Sequence, residues 1–305
     1  MGWLRRARKQ PADPHEPPFP PAFRRLLLEA VRRAPRATYG VDCAGPARQR
    51  TASRSGTFAG HRSYGRGDEV RDVDWHAYAR TRALFAKVVE EEERRTLTLL
   101  VDLSPSQDAG TPPRRLATLR FAALYGALAL ARLDALHLVH GDGRALTLRG
   151  AASLEALLQS LAAAPRAHAP LAMVQRPLEE GWAGRWLWIS DFVPPDAVAP
   201  ALALLRRHGR RCVGILPEIA DDRGTDLLGV VALRDPESGA RAVVRVDRDL
   251  QRAFADELAA LRRAQDAVFR GAGFALQRVP VPADFAPASW AFAWAPRRSA
   301  VEFAR

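Results

Sequence analysis

From residue 84 onward the chain alternates between short continuous apolar runs and longer stretches in which apolar residues recur every three to four positions. The first pattern predicts buried strands and the second amphipathic helices. Strands are expected at about 84–89, 96–101, 136–140, 144–148, 186–190, 212–216, 229–233, 241–246 and 274–279. Helices are expected at about 113–133, at 153–164 with Ser153 as N-cap, at 195–208 before Gly209, and at 249–270 before Gly271. Gly141-Asp142-Gly143 reads as one hairpin connection and Asp235-Pro236-Glu237-Ser238-Gly239 as another. Such alternation implies an α/β fold, a doubly wound, mostly parallel sheet with helices on both faces.

The front of the chain has a different rhythm. Residues 1–22 combine Arg5, Arg6, Arg8 and Lys9 with six prolines between Pro11 and Pro21, a composition that cannot bury an apolar face and reads as a disordered arm. Phe23, Leu26, Leu27 and Ala30 then predict a short amphipathic helix over 23–33. Residues 34–80 are rich in Gly, Arg and aromatics with little periodicity, the signature of a loop-rich segment. The organisation therefore reads as an arm (1–22), a helix with a motif segment (23–95), an α/β domain (96–282) and a tail (283–305). The tail carries Trp290-Ala291-Phe292-Ala293-Trp294, either a strand laid on the domain or an exposed aromatic tag.

In doubly wound sheets ligand sites gather where strands end and helices begin. Asp102, Ser104 and Ser106 follow the strand at 96–101 and put three hard oxygen donors on one loop, the chemistry of a Mg²⁺ or Mn²⁺ site. Asp191 follows the strand at 186–190. If those strands are neighbours, Asp102 and Asp191 face one crevice and jointly hold a divalent cation; unpaired, the two carboxylates would repel. The D-x-S-x-S string resembles a von Willebrand A-type, metal-dependent adhesion site. That resemblance implies a threonine ligand on a second loop, yet residues 165–172 contain no hydroxyl. His168 on that loop matches Mg²⁺ less well than an oxygen does. The incomplete set would hold Mg²⁺ weakly or not at all. In the plainer reading Asp102 and Ser104 cap the following helix or bond the strand ends.

Composition narrows the partners. The formal charge of +12 is uneven: residues 1–95 carry +8 and the rest +4. All the basic residues except Lys9 and Lys87 are arginine, which pairs with carboxylates as readily as with phosphates. No helix-turn-helix, RNP or finger signature accompanies them, which argues against nucleic acid. The longest apolar run, 121–131 between Arg120 and Arg132, falls well short of the roughly 20 residues that span a bilayer. Any membrane contact is then peripheral. Residues 1–14 lack a secretory apolar region, so a cytoplasmic protein is expected. Cys43 and Cys212 lie far apart without C-x-x-C spacing, which implies neither a disulfide framework nor a zinc cage.

Phe58-Ala59-Gly60-His61-Arg62-Ser63-Tyr64-Gly65-Arg66-Gly67-Asp68-Glu69-Val70-Arg71-Asp72-Val73-Asp74-Trp75 resembles the R-x-Y-x-x-G-D-x-x-R-x-I-D-W block of a bacterial family, number fifty-eight in the domain-of-unknown-function series. Ala79-Arg80, the acidic run Glu90 to Glu93 and the D-P-E-S-G turn continue the similarity, which covers about residues 48–280. The resemblance implies a von Willebrand A-like domain preceded by the motif segment, and partnership with a MoxR-type AAA+ ATPase in chaperone-like remodelling or maturation of clients that the sequence does not identify. Read physically, Gly67 permits a tight turn, and Asp68 and Asp74 accept from Arg62, Arg71 or Arg80. Trp75 and Tyr64 are expected to anchor the loop.

No G-x-S-x-G elbow, H-E-x-x-H string or Walker A loop is present, so esterase, zincin and NTPase chemistry lack their usual signals. Ser104 and Asp191 with His61, His76, His137, His140 or His168 supply the parts of a nucleophilic site, without a motif that assembles them. A non-enzymatic protein-binding adaptor is the preferred reading. A regulator that binds nucleic acid or anionic membrane through its basic front is the alternative.

Overall fold

The computed structural model describes residues 17–33, 57–64, 73–90, 96–110, 113–133, 135–219, 228–235 and 238–281. The chain divides into two compact units, Asp42–Arg94 and the remainder. Helix α1 (Pro21–Arg33) belongs to the larger unit.

The smaller unit contains β1 (Thr57–Ser63), α2 (Trp75–Thr81) and β2 (Phe85–Glu90), more regular structure than the weak periodicity of 34–80 led us to expect. β1 and β2 pair antiparallel with a bulge between Phe58 and Gly60. Asp74 caps α2 by accepting from the amides of His76 (3.0 Å) and Ala77 (3.1 Å), a backbone role that was not read from sequence. Trp75 is 55% exposed and packs edge-on against Tyr78, while Val73 and Ala77 are buried. The anchoring expected of Trp75 is thus corrected: a capped helix start places it on the outer side of the turn. Tyr64 is half-buried and Arg80 exposed; Gly67, Asp68, Arg71 and the side chain of Arg62 lie outside the described residues.

The larger unit continues with β3 (Thr96–Val101), α3 (Arg114–Arg132), β4 (Ala135–His140), β5 (Ala145–Leu148), α4 (Leu154–Ala162), α5 (Pro170–Glu179), β6 (Arg185–Ile189), α6 (Pro195–Arg207), β7 (Arg211–Glu218), β8 (Gly229–Arg234), β9 (Arg241–Val246), α7 (Arg248–Gly271) and β10 (Ala275–Pro280). Six strands form one sheet in the order β10-β7-β6-β3-β4-β5, parallel except for the β4–β5 hairpin. β8 and β9 pair as a separate antiparallel ribbon, none of whose described residues is buried. This is the mixed, mostly parallel α/β architecture expected, and it is consistent with a von Willebrand A-like fold.

Strand periodicity explains the two layers of helix. Leu97, Leu99, Val101, Leu187, Ile189, Val213 and Ile215 point to one face, where they meet the buried residues of α1, α3 and α4. Leu100, Trp186, Trp188 and Cys212 point to the other, where α5, α6 and α7 cover them. α1 joins the first layer through Phe19, Phe23 and Leu27, all buried, with Arg120 placed over the Phe23 ring (5.4 Å) and donating to the Pro18 carbonyl. Residues 18–22, read from sequence as part of a disordered arm, are therefore seated on the core, because Phe19 stacks on Phe23. Residues 1–16, Cys43 and the aromatic tail lie outside the described residues. Cys212 is buried, which raises its thiol pKa and keeps it inert.

Gly214 in β7 sits under Phe269 of α7: a Cβ there would lie 2.5 Å from two ring carbons. Gly214→Ala is expected to destabilise the protein by about 1–3 kcal/mol in urea unfolding, the usual cost of overpacking. Phe269→Leu should recover part of that loss. An unchanged midpoint would contradict this packing.

Candidate functional site

The chain runs from β3 to β4 in one direction across the sheet and then returns to β6 on the other side of β3. α3 and α6, which follow β3 and β6, consequently leave toward opposite faces, and a crevice opens at the C-terminal ends of these two neighbouring strands. Asp102 and Asp191 stand at that rim. The Asp102 amide donates to the Ile189 carbonyl (3.1 Å), and both side chains are buried, at 0% and 3% exposure. The two aspartates and the two serines read from sequence are thus brought together, in a network that is largely closed to solvent.

Asp102 is held from three directions. One oxygen accepts the Ser104 amide (2.9 Å); the other lies 2.6 Å from Ser190 Oγ, which donates to it, and 2.7 Å from His168 Nδ1. A carboxylate only accepts, which makes Nδ1 the protonated nitrogen of that ring. Ser190 Oγ also accepts the Phe192 amide. Phe192 adopts a left-handed φ of 54°, an uncommon conformation held by its packing between Trp188 and Phe269.

Asp191 belongs to a second strand of the network. Ser104 Oγ and Ser106 Oγ are 2.8 Å apart, Ser106 Oγ donates to Asp191 Oδ2 (3.1 Å), and Arg114 of α3 approaches the same oxygen at 3.4 Å. Burial raises the Asp191 pKa, nearby Asp102 adds to the rise, and Arg114 and Ser106 oppose it. Below the carboxylates, Gln107 donates to the Asp102 carbonyl and accepts from Thr118 (2.6 Å). Gln265 of α7 donates to the Asp191 carbonyl (2.8 Å) and accepts from Arg278 (3.0 Å). Beside Asp191 lies a small cleft of about 50 Å³, lined by groups that include Arg114, Glu218, Leu258, Arg262 and Arg278.

Taken as ligands, Ser104, Ser106 and Asp191 supply hard oxygens, but Mg²⁺ takes six in near-ideal octahedral array, and here the two carboxylates also contact nitrogen donors, Arg114 and His168. The charged or ionisable partners of the two aspartates are a guanidinium and an imidazole. The loop at 165–172, which carries no hydroxyl, presents His168 to Asp102 instead. Among the described residues no group of three or more His, Cys, Asp or Glu side chains is arranged to hold a metal.

Ser190, Arg114, Gln107 and Gln265 were not read from the sequence as parts of this site, and His168 was read there as a poor substitute ligand or a base, not as a partner of Asp102. Arg114 did leave a signal: α3 has no acidic residue in its first turn, and a cation at a helix N-terminus is unfavourable unless a carboxylate compensates it. The remaining histidines have other work. His137 stacks on Trp182 (4.1 Å) and bonds Thr147, while His140 bonds Ser160, and burial lowers both pKa values. Ser153 lies at the start of α4 without capping it, because its hydroxyl turns back to the Arg149 carbonyl. His76 is exposed, and the side chain of His61 is outside the described residues. Among the described residues no helix is long and apolar enough to cross a membrane.

Comparison with known proteins places the chain. It resembles an aerotolerance-related membrane protein from Bacteroides fragilis, solved with multiple mutations to serines, at 17% identity and TM-score 0.36, covering 64% of this chain and 96% of that one. It also resembles the conserved hypothetical protein BatB from Bacteroides thetaiotaomicron, at 15% identity and TM-score 0.35, covering 66% and 96%. The uncharacterized proteins Rv1480 of Mycobacterium tuberculosis and Mb1516 of Mycobacterium bovis are each 30% identical over 232 residues, 70% of either chain. A family model described as "Protein of unknown function DUF58" matches residues 60–265, a span that includes all but the first two residues of the 58–75 motif block, and Asp102, His168 and Asp191. On the strength of that match and of the mycobacterial relatives, the chain belongs to the DUF58 family.

Proposed function

We propose that this chain is a non-enzymatic, cytoplasmic protein-binding adaptor whose rim at the ends of β3 and β6 receives a partner. The observation that carries the reading is the direction of the rim hydroxyls. Ser104 faces Ser106, Ser106 faces Asp191, and Ser190 faces Asp102. A nucleophilic centre instead needs a hydroxyl on an imidazole that accepts its proton. The neighbouring cleft of about 50 Å³ is also far smaller than the few hundred Å³ that commonly enclose a small-molecule substrate.

The partner this reading favours is a MoxR-type AAA+ ATPase, as the motif resemblance implies, with the pair remodelling or maturing other proteins. Affinity capture from the native host, with and without nucleotide, tests it. A MoxR-type ATPase is expected among the enriched proteins. Ser106→Arg, which crowds the rim from a half-buried position, should reduce that capture about tenfold or more while leaving the circular dichroism spectrum unchanged. Recovery of no AAA+ ATPase under either condition would overturn the partner assignment.

A further inference from the structure

We propose that Arg114 and His168 occupy the role that a divalent cation has in adhesion sites of the von Willebrand A type, so that this rim is assembled and held without metal. The inference rests on the docking reading for its use, but not for its test.

The two groups arrive from separate elements. Arg114 comes from the first turn of α3 and meets Asp191 with both side chains largely buried, at 12% and 4% exposure. His168 comes from the connection between α4 and α5, where the adhesion-site resemblance asks for a hydroxyl ligand, and meets Asp102 at 2.7 Å. The backbone is shaped to bring it there. The Ala169 amide donates to the Gly141 carbonyl (2.8 Å), and a Cβ on Gly141 would lie 1.9 Å from the Ala167 oxygen. Only glycine lets that loop close over Asp102.

Ser106 and the Arg114 guanidinium meet the same oxygen, Asp191 Oδ2, so a metal seated between Ser104, Ser106 and that oxygen would share it with Arg114. Two cations on one oxygen repel strongly in a site this dry. The divalent ion would therefore have to expel Arg114 from a largely buried position beside Gln265 and the start of α3. The chain's own donors make such an ion unnecessary, since each carboxylate already has a nitrogen donor and at least one hydroxyl.

Two measurements on the isolated full-length chain test this. In the first, free Mn²⁺ is followed by electron paramagnetic resonance up to millimolar concentration, and the melting temperature is compared in Mg²⁺ and in chelator. The inference expects a free Mn²⁺ signal equal to that of buffer and no difference in melting temperature. Stoichiometric loss of the free signal, or stabilisation by Mg²⁺, would overturn it. In the second, Arg114→Met is expected to lower the melting temperature by roughly 5–10 °C, and Arg114→Lys by less. In an Asp191→Asn background most of the Arg114→Met effect should vanish. Equal loss in both backgrounds would mean that Arg114 merely packs there, and would overturn the charge-compensating role. The Mn²⁺ measurement uses unaltered protein, so a variant that fails to fold does not remove the test, and neither measurement depends on partner capture.

Discussion

Asp102→Ala is expected to lower the free energy of unfolding by about 3–5 kcal/mol, the range for removing one member of a buried, hydrogen-bonded charged set. The alanine would leave the Ser104 amide, the Ser190 hydroxyl and His168 Nδ1 without their acceptor at a position with no solvent exposure. Each such orphaned group costs about 1–3 kcal/mol, and partial collapse of the loops recovers some of the sum. Asp102→Asn keeps the shape and one acceptor oxygen, so its loss should be smaller. Urea unfolding of the three proteins checks this. A loss below about 1 kcal/mol for the alanine variant would contradict the network, because that is the range of an ordinary surface change.

Gly141→Ala is expected to be almost as disruptive, although Gly141 bears no side chain and touches neither carboxylate. The added methyl would lie 1.9 Å from the Ala167 carbonyl oxygen, a backbone atom that cannot rotate away. The loop must retreat, and with it go the Ala169–Gly141 hydrogen bond and the reach of His168 to Asp102. Overpacking costs about 1–3 kcal/mol, occasionally more, and the lost carboxylate bond places this variant at the upper end. Gly271→Ala at the end of α7 is the matched control, since a Cβ there has nothing within 4 Å. Heteronuclear NMR should show shifts at His168 and Ser190 for Gly141→Ala and none for the control. Native-like stability and spectra in Gly141→Ala would mean that the loop is not held as described.

The parts of the fold legible from sequence are those with a strong period. β3 and β6 are buried runs, apolar after their first residue except for Thr98, because both faces of a central strand are covered, and α7 announces itself by a long amphipathic pattern closed by Gly271. α5 was hidden. Pro170 at its start and Pro177 within it read as helix breakers, yet Pro170, Met173, Val174, Pro177 and Leu178 form its buried face, and Pro177 falls in the last turns. β1 was masked by Gly, His and Arg within its seven residues, which carry neither alternation nor an apolar run.

The candidate site divides in the same way. Asp102 and Asp191 were legible because each directly follows a buried strand, and the pairing of β3 with β6 carries them to one rim. The pairing of these aspartates with their partners was not. His168 stands alone among Ala, Pro and Arg, 66 residues from Asp102, and only the tertiary closure at Gly141 joins them. Gln265 and Gln107 look in sequence like solvated helix or turn residues, yet both are buried where a backbone carbonyl of the rim needs a donor.

A crystal structure of the wild-type chain grown in Mn²⁺, with anomalous scattering measured at the manganese edge, decides whether the rim is held without metal. No anomalous peak is expected between Ser104, Ser106 and Asp191, with His168 on Asp102 and Arg114 on Asp191. A peak within coordination distance of those three oxygens, with the Arg114 guanidinium displaced into solvent, would contradict a metal-free rim.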